Sequence, residues 1–316
     1  HSSDNFRMRR LQDFLQKTTD LAKPNRVQSQ VVESVSAPVP PWVQRLLSLS
    51  QEHEEDISEE MECTALTGLP GETVGLLHGY QRRGIAFGVK KGGRVLLADE
   101  MGLGKTVQAL GVAAFYRREW PVLVVVPAAL RLNWKSEIAR WLREATVQVV
   151  MSGSDQFRAG KDFYIVSYDL CHRHAKFRAQ ATGEPFDLVI CDESHLLKTW
   201  QTQRTSQIVP IVQTALRAVL ISGSPALNNA FELYPQLKAL QKDIPTPEEF
   251  GRRYCVAETS PQGQNVFTGS VRPNELRQVL SSVMLRRAKA EVLSQLPQKR
   301  RRMIPLELPP GALQSA

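Results

Sequence analysis

The sequence has no apolar run long enough to cross a membrane, and it has few cysteines. Its longest apolar stretches, such as Val122–Val126, fall far short of the roughly 18 residues that a membrane-spanning helix needs. No basic and then apolar segment stands at the N-terminus, so we expect no secretory signal. The four cysteines form no Cys-x-x-Cys pair, and no second ligand pair accompanies Cys171–His174 at zinc-finger spacing. We therefore expect reduced thiols, no metal at that segment and no membrane partner.

The composition is that of a globular protein with a sizeable core, since 42% of the residues are hydrophobic and 23% are charged. The net charge of +8 is unevenly distributed. Residues 1–70 hold 7 Lys/Arg and 11 Asp/Glu, a net charge of −4, whereas the remaining 33 and 21 give +12. A basic surface suits a partner that carries phosphates, although it can also be merely a soluble surface.

The patterning changes at about residue 70. Residues 1–70 contain a candidate helix at 7–21, a proline-rich stretch and an acidic segment at 52–62, which predicts a poorly structured appendage or linker. From residue 71 onward, short apolar runs alternate with helical periods, notably at Thr106–Tyr116 and Trp134–Leu142. The apolar runs are Val95–Ala98, Val122–Val126, Val147–Val150, Tyr164–Ser167, Leu188–Cys191 and Ala218–Ile221. Runs of this kind are typical of strands buried on both faces, so residues 71–300 predict an α/β lobe with a mostly parallel sheet flanked by helices.

A glycine-rich turn follows the first predicted strand. It reads Asp-Glu-Met-Gly-Leu-Gly-Lys-Thr over residues 99–106 and precedes a predicted helix. Its two glycines let backbone N–H groups turn toward phosphate oxygens, while Lys105 can reach the β- and γ-phosphates and the Thr106 hydroxyl can ligate Mg²⁺. Asp99 replaces the first glycine of the usual pattern. For this segment alone, an ordinary βα turn with a surface lysine therefore stays an alternative.

Two acidic residues end a second apolar strand. Asp192 and Glu193 follow Leu188–Cys191, and an acid at the end of that strand lies beside the phosphate loop. Asp192 would hold Mg²⁺ through water, and Glu193 would orient or deprotonate the attacking water. A lone Asp-Glu pair is usually a solvated turn, but this pair lies downstream of Gly-Leu-Gly-Lys-Thr. Together the two segments predict a nucleotide hydrolase.

These motifs and their order resemble the Swi/Snf-type DNA translocases of helicase superfamily two. Segments 99–106, 192–195 and 222–225 are similar to motifs I, II and III of that family. Gln81 stands where the family has its adenine-reading glutamine, and Val124–Pro127 with the following Arg131, Trp134 and Trp141 resembles motif Ia. The resemblance covers about residues 75–305. A narrower likeness, to the HARP-like annealing helicases, lies in segments 114–121, 253–255 and 284–297.

The resemblance implies the first RecA-like lobe of a DNA-dependent ATPase that remodels or reanneals DNA at stalled replication forks. The implied nucleotide-binding residues are Gln81, Gly102, Leu103, Gly104, Lys105 and Thr106. The implied catalytic residues are Lys105, Asp192 and Glu193, with Thr106 and Asp192 at Mg²⁺. The implied coupling residues are His195, Ser222 and Ser224. The implied DNA contacts are Pro127, Arg131, Ser167 and Tyr168.

The resemblance also implies cofactors and partners. These are ATP and Mg²⁺, forked DNA or single/double-strand junctions bound regardless of sequence, a second RecA-like lobe, a recruiting protein and a nuclear location. Ser224 departs from the family's Ser-Gly-Thr-Pro but keeps a hydroxyl. Residues 301–316 are expected to be a connector toward the second lobe, whose arginines normally stabilise transition-state charge. We therefore expect ATP binding with little or no turnover.

Several alternatives stay open at this point. The function can instead be nucleosome remodelling, or that of a non-catalytic DNA-binding or interaction module built on an ATPase lobe. Arg131 can be a solvated arginine at a helix start. Trp134 and Trp141 fit a packed helix face better than a base-stacking platform. The basic run 299–302 can bind DNA, direct localisation or form a solvated connector.

Overall fold

The computed structural model describes residues 38–50, 56–226, 229–259 and 265–295. The strands in these ranges are β1 (Arg94–Leu97), β2 (Val122–Val126), β3 (Val147–Val149), β4 (Phe163–Ser167), β5 (Leu188–Cys191), β6 (Arg217–Ile221), β7 (Val256–Thr259), β8 (Asn265–Thr268) and β9 (Met284–Leu285). The α-helices are α1 (Pro41–Leu49), α2 (Glu59–Ala65), α3 (Gly71–Val74), α4 (Gly79–Lys90), α5 (Lys105–Phe115), α6 (Arg131–Trp141), α7 (Tyr168–Arg173), α8 (Gln203–Thr214), α9 (Tyr234–Leu240), α10 (Pro247–Tyr254) and α11 (Pro273–Ser281).

The main sheet has seven strands in the order β3-β4-β2-β5-β6-β1-β9. All of its neighbouring strands pair in parallel, whereas β7 and β8 form a separate antiparallel pair. The predicted α/β fold class with a mostly parallel sheet is confirmed. Each apolar run in the sequence prediction matches a strand to within one residue at either end.

Alternate strand residues bury into two apolar layers, one on each side of the sheet. In β2, Leu123 and Val125 belong to one layer, and Val124 and Val126 to the other. All of these side chains are fully buried. Helices cover both faces, which explains why the strands read as continuous apolar runs rather than as alternating ones.

Strand β9 is the sheet strand that the sequence analysis did not predict. It contains only two residues, and Arg286 and Arg287 follow it immediately. Its pairing with β1 continues into the glycine-rich turn, because Glu100 donates a backbone hydrogen bond to the Arg287 carbonyl at 2.9 Å. A two-residue apolar run beside two arginines carries no strand signal. This edge is explained by tertiary contacts, namely the burial of Leu285, its backbone bond from Ala98 N and the hydrogen bonds of the two arginines.

The described parts of residues 38–70 are more ordered than the sequence analysis expected. In α1, Val43 and Leu46 are buried in the same layer as Leu123. Ser58 caps α2 by accepting a hydrogen bond from Met61 N at 3.2 Å. Short helices of this kind derive their stability from docking onto a larger body, which a local pattern does not reveal. The domain boundary at residue 70 stays a prediction.

Some predicted features lie outside the described residues. These are the candidate helix at 7–21, the acidic positions 52–55, the basic run 299–302 and the connector 301–316. Within the described ranges, every helix is too short or too polar to span a bilayer.

Arg94 joins β1 to the C-terminal ends of two helices. Its guanidinium donates to the carbonyls of Val212 and Ala215 at the end of α8, at 3.1 and 2.6 Å. It also donates to those of Ala239 and Leu240 at the end of α9, at 2.6 and 2.9 Å. Burial lowers the pKa of this arginine, which is the direction expected when a cation leaves water. One side chain therefore satisfies carbonyls that two helix ends leave without partners.

Replacing Arg94 by methionine should lower the free energy of unfolding by about 2–4 kcal/mol, because buried carbonyls lose charged donors. Urea unfolding followed by circular dichroism measures this change. The control is Arg143→Met, whose ion pair with Glu72 (2.7 Å) joins side chains that are both more than half exposed. That variant should change stability by at most about 1 kcal/mol. Equal effects of the two substitutions would contradict the capping role of Arg94.

Candidate nucleotide-binding site

Strands β5, β6 and β1 are neighbours in the sheet, so the loops that follow them meet at one edge. A cleft of about 440 Å³ lies there. The predicted residues that line it include Gln81, Lys105, Thr106, Asp192 and Glu193. Another cleft, of about 530 Å³, lies beside the C-terminal end of α5 and contains none of the predicted residues. The fold thus brings the predicted residues from three segments of the chain into one concave site.

Residues 99–104, the predicted phosphate loop, require glycine at two positions. Gly102 and Gly104 have φ values of +87° and +75°, in the left-handed region that favours glycine. A Cβ atom on Gly104 would lie 2.3 Å from Nε2 of Gln81. Leu103 between them is fully buried and packs with Tyr80 and Val292. The glycines therefore leave the loop backbone open to the cleft, while Leu103 anchors it from below.

Lys105 begins α5 and folds back over the loop. Its Nζ atom donates to the carbonyls of Asp99 and Glu100 at 2.8 and 3.2 Å. Burial lowers its pKa, and the negative charges of Asp99, Glu193 and Asp192 oppose that shift. The ammonium is thus held at the point where the loop and the acidic residues meet, which is the position a phosphate-binding lysine needs.

Asp99, which replaces the usual first glycine, is fully buried and forms an ion pair with Arg287. Arg287 Nε donates to Asp99 Oδ1 at 3.0 Å, and Nη2 donates to Oδ2 at 2.5 Å. Gln108 Nε2 donates to the same Oδ2 at 3.0 Å, and Arg287 also donates to the Tyr80 carbonyl. On α4, Gly84 leaves room for this group, because a Cβ there would lie 1.9 Å from Gln108 Oε1. The departure from the usual pattern is therefore a structural ion pair that fixes the loop.

Gln81 lies on α4 next to the loop, with only 8% of its surface exposed. Its Oε1 accepts from the backbone N–H of His78 at 3.0 Å, and its Nε2 donates to the Leu103 carbonyl at 3.3 Å. A longer bond from Nε2 to Tyr80 Oη, at 3.5 Å, uses the second donor of the amide, so within these contacts only the second lone pair of Oε1 stays open. The predicted adenine contact stays a prediction.

Asp192 has both carboxylate oxygens hydrogen-bonded. The indole N–H of Trp134 donates to Oδ2 at 2.8 Å, and the backbone N–H of Glu193 donates to Oδ1 at 2.8 Å. Burial raises the pKa of Asp192, and the hydrogen bond from Trp134 opposes that shift. Each oxygen keeps a lone pair, so the group can still accept from waters around a cation.

Glu193 has a left-handed backbone, with φ +49°. Its carboxylate lies 3.1 Å from His195 Nδ1, and this hydrogen bond is the largest cause of its lowered pKa. The same ring nitrogen is 3.2 Å from the hydroxyl of Ser222, which accepts from Ser224 N at 3.2 Å. The three predicted coupling residues therefore form one chain of contacts that ends at the predicted base.

Arg131 is held mainly by the protein itself. Its Nη1 donates to the carbonyls of Val150 and Met151 at 2.7 and 3.1 Å, and its Nε donates to that of Ala128 at 3.0 Å. It stands at the start of α6, directly after the turn that begins with Pro127. Its predicted role at DNA stays a prediction, and so does that of Pro127.

Ser167 and Tyr168 are buried, with 3% and 2% of their surfaces exposed. Ser167 Oγ caps α7 by accepting from Leu170 N at 3.3 Å, and Tyr168 Oη donates to the Asp192 carbonyl at 2.8 Å. Both side chains therefore make contacts inside the protein. Tyr168 belongs to the apolar layer beneath the end of β4. The DNA contacts expected of both residues stay a prediction.

The sequence analysis missed several residues of the site. The helical spacing favoured packing for Trp134 and did not reveal its contact with Asp192, and Arg287 had no assigned role. Glu137 and Arg140, on one face of α6, also line the cleft. A helical period placed α6 but could not reveal that this face borders the phosphate loop.

The residues fit a nucleotide and a divalent cation by their chemistry. A glycine-built loop with a lysine is suited to phosphate, and a hydroxyl with a carboxylate supplies the oxygen ligands that Mg²⁺ prefers. Among the described residues, no group of three or more His, Cys, Asp or Glu forms a dedicated metal cage.

The SNF2-related domain family matches residues 80–314, and the chain belongs to this family. The resemblance drawn from the motifs is thereby confirmed. The chain is 42% identical over 253 residues to the "SWI/SNF-related matrix-associated actin-dependent regulator of chromatin subfamily A-like protein 1" of Xenopus tropicalis, covering 78% of this chain and 26% of that protein. It is 41% identical over 258 residues to the human "DNA annealing helicase and endonuclease ZRANB3", covering 77% and 23%.

The fold is also similar to that of a solved SWI2/SNF2 ATPase core from Sulfolobus solfataricus in complex with double-stranded DNA. The TM-score is 0.56 at 23% identity, over 70% of this chain and 47% of that one. At this identity the match establishes the shared fold. The chain spans about a quarter of the length of its curated relatives.

Replacing Arg287 by methionine should destabilise the protein by about 3–5 kcal/mol, because Asp99 is left as a buried charge without its main partner. Adding Asp99→Asn to this variant should restore part of the loss, since the uncompensated charge is then removed. Urea unfolding of the single and double variants measures both effects.

The matched control is Arg252→Met, because Arg252 pairs with Glu248 at 2.7 Å on the surface, with both side chains more than half exposed. We expect that variant to lose at most about 1 kcal/mol. Strictly additive effects of Asp99→Asn and Arg287→Met would contradict an energetic link between the loop and β9.

Proposed function

We propose that the chain is the ATP-binding lobe of a DNA-dependent ATPase that remodels or reanneals DNA, with stalled replication forks in the nucleus as its place of action. The observation that carries the proposal is the single cleft in which Lys105, Thr106, Asp192 and Glu193 meet. The names of the relatives, one an annealing helicase and another a regulator of chromatin, support the DNA-remodelling part.

In this proposal the protein binds the nucleotide through three segments. Lys105 and the backbone N–H groups of residues 102–106 bind the phosphates, and Gln81 contacts the adenine. Thr106 and, through water, Asp192 would hold Mg²⁺. Bound MgATP would supply the phosphoryl group for hydrolysis and the divalent charge that offsets its phosphates.

The two acidic residues take different roles because their surroundings shift their pKa values in opposite directions. The contact with His195, which lowers the pKa of Glu193, fixes the direction of a carboxylate that can orient a water molecule and accept its proton. His195 holds that carboxylate and also contacts Ser222. A movement of Ser222 or Ser224 in motif III would therefore reach Glu193, the proposed base, through these direct contacts.

We place the transition-state arginine in a second lobe, supplied by a longer protein or a partner chain. Without such an arginine, the rate of hydrolysis is typically about 10³–10⁵-fold lower. The proposed partners are therefore DNA with forks or junctions, the second lobe and a recruiting protein.

The chain by itself should bind ATP with Mg²⁺ and show negligible turnover, with or without forked DNA. Lys105→Ala should weaken nucleotide binding about tenfold or more, because a charged hydrogen bond of about 1.5–3 kcal/mol is removed. Isothermal titration calorimetry measures the affinity, and release of inorganic phosphate measures the turnover.

The control is Lys242→Ala, an exposed lysine outside the cleft, which should leave both readouts unchanged. Equal affinity of Lys105→Ala and the unmodified protein would favour the non-catalytic module. DNA-stimulated turnover that disappears in Lys105→Ala would contradict the need for a second-lobe arginine. In a longer protein, stimulation by nucleosomes beyond that by naked forked DNA would favour the remodelling alternative.

DNA binding should be independent of sequence and should weaken with salt, because the expected contacts go to phosphates. Fluorescence anisotropy with two duplexes of unrelated sequence, between about 50 and 200 mM salt, tests this. If Arg131 contacts a phosphate, Arg131→Ala should reduce the slope of log affinity against log salt by about 1. Arg143→Ala is the control. An unchanged slope for Arg131→Ala would show that Arg131 binds no phosphate and makes only its contacts with carbonyls of the protein.

A further inference from the structure

Trp134 is fully buried in α6, yet its one polar atom reaches the candidate site. Its ring belongs to the same apolar layer as Val126 and Ile190, on the strands that lead to the site. Its indole N–H donates to Asp192 Oδ2 at 2.8 Å. The indole N–H of Trp120, by comparison, donates at 2.8 Å to the Ala113 carbonyl near the C-terminal end of α5. A buried indole needs an acceptor, and here the acceptor is a site carboxylate rather than a main-chain group.

The contact restricts how the carboxylate of Asp192 can turn. One oxygen accepts from Trp134 and the other from the backbone N–H of Glu193 at 2.8 Å. The main chain is held as well, because Asp192 N donates to the Val125 carbonyl at 2.9 Å and Tyr168 Oη donates to the Asp192 carbonyl at 2.8 Å. Rotation of the carboxylate would break the bond to Trp134, since the indole has no freedom to follow it within the packed layer.

The kind of donor matters as much as its position. An arginine or lysine at this point would compensate the charge of the carboxylate, which would then attract a cation less strongly. The indole N–H is neutral and has no acceptor site of its own, so it orients the carboxylate and leaves the charge in place. Groups that orient a metal-binding side chain in this way typically change metal affinity about 10–100-fold when they are removed.

We infer that Trp134 is a positioning residue that holds the carboxylate of Asp192 in the orientation with which the nucleotide site receives its divalent cation. This inference rests on the proposed function, because it takes Asp192 as the carboxylate at Mg²⁺. It extends the site from the loops at the sheet edge to the interior face of α6, for which the helical spacing of Trp134 and Trp141 favoured packing over base stacking.

The test compares nucleotide affinity with Mg²⁺ and with EDTA, measured by calorimetry on the whole chain. Trp134→Phe keeps an aromatic ring and removes the N–H. We expect its nucleotide affinity in EDTA to stay within about twofold of that of the unmodified protein. The Mg²⁺ concentration that gives half of the maximal increase in nucleotide affinity should rise about tenfold. A residue that only fills the core would shift both conditions alike. Activity is not needed for this readout.

Two further variants act as references. Trp120→Phe removes an indole hydrogen bond of the same length outside the cleft, so it should show neither shift. Asp192→Asn should lose most of the increase in nucleotide affinity that Mg²⁺ causes. If Trp134→Phe fails to fold, site-specific incorporation of benzothienylalanine at position 134 replaces the N–H by sulfur in a ring of nearly the same shape.

The outcomes separate this inference from the proposed function. If Asp192→Asn loses the Mg²⁺ effect but the variants at position 134 behave like Trp120→Phe, Trp134 is not a positioning residue and the function stands. Equal loss of affinity with and without Mg²⁺ at position 134 also overturns the inference. If the unmodified protein shows no Mg²⁺ dependence, the proposed function itself is wrong.

Discussion

The buried ion pair between Asp99 and Arg287 is the contact on which the geometry of the site depends. It lies where β1 passes into the phosphate loop, and it joins that point to β9, to Gln108 on α5 and to the Tyr80 carbonyl on α4. A buried pair is only weakly stabilising compared with apolar packing, because both ions are desolvated. Its geometry, however, permits few alternatives, since each charged group is matched by several directed hydrogen bonds. The loop that should hold phosphates is therefore fixed from beneath, and its glycines remain open to the cleft.

The parallel sheet converts this fixed loop into a complete site. Because β6 lies between β5 and β1, the serine of motif III is placed between the phosphate loop and the acidic pair. Ser222 N donates to the Leu97 carbonyl at 3.1 Å, which ties motif III directly to the strand that precedes the loop. His195 then spans the remaining gap between Ser222 and Glu193. A displacement of any one of these loops must alter the contacts of the next, since all three are joined at the same edge.

The sequence predicted the parts of the molecule that depend on local pattern. Buried strands such as Val122–Val126 read as apolar runs, and the glycines, Lys105 and the acidic pair are recognisable from their spacing. Arg287 and Trp134 were not assigned their roles, because their partners lie 188 and 58 residues away along the chain. No periodicity describes a pairing of that kind. The burial of Ser167 and Tyr168 likewise depends on packing beneath the end of β4, which a local pattern does not describe.

The electrostatic arrangement of the site follows from the same contacts. Burial raises the pKa of Asp192 against the opposing effect of its N–H donors, whereas the contact with His195 lowers the pKa of Glu193. Two adjacent carboxylates therefore have their pKa values shifted in opposite directions by their surroundings. Lys105 adds a cation beside these carboxylates, and its ammonium donates to the neutral backbone carbonyls of Asp99 and Glu100. Phosphate oxygens are stronger acceptors than these carbonyls, so an incoming nucleotide would gain a charged hydrogen bond in exchange for a weaker one.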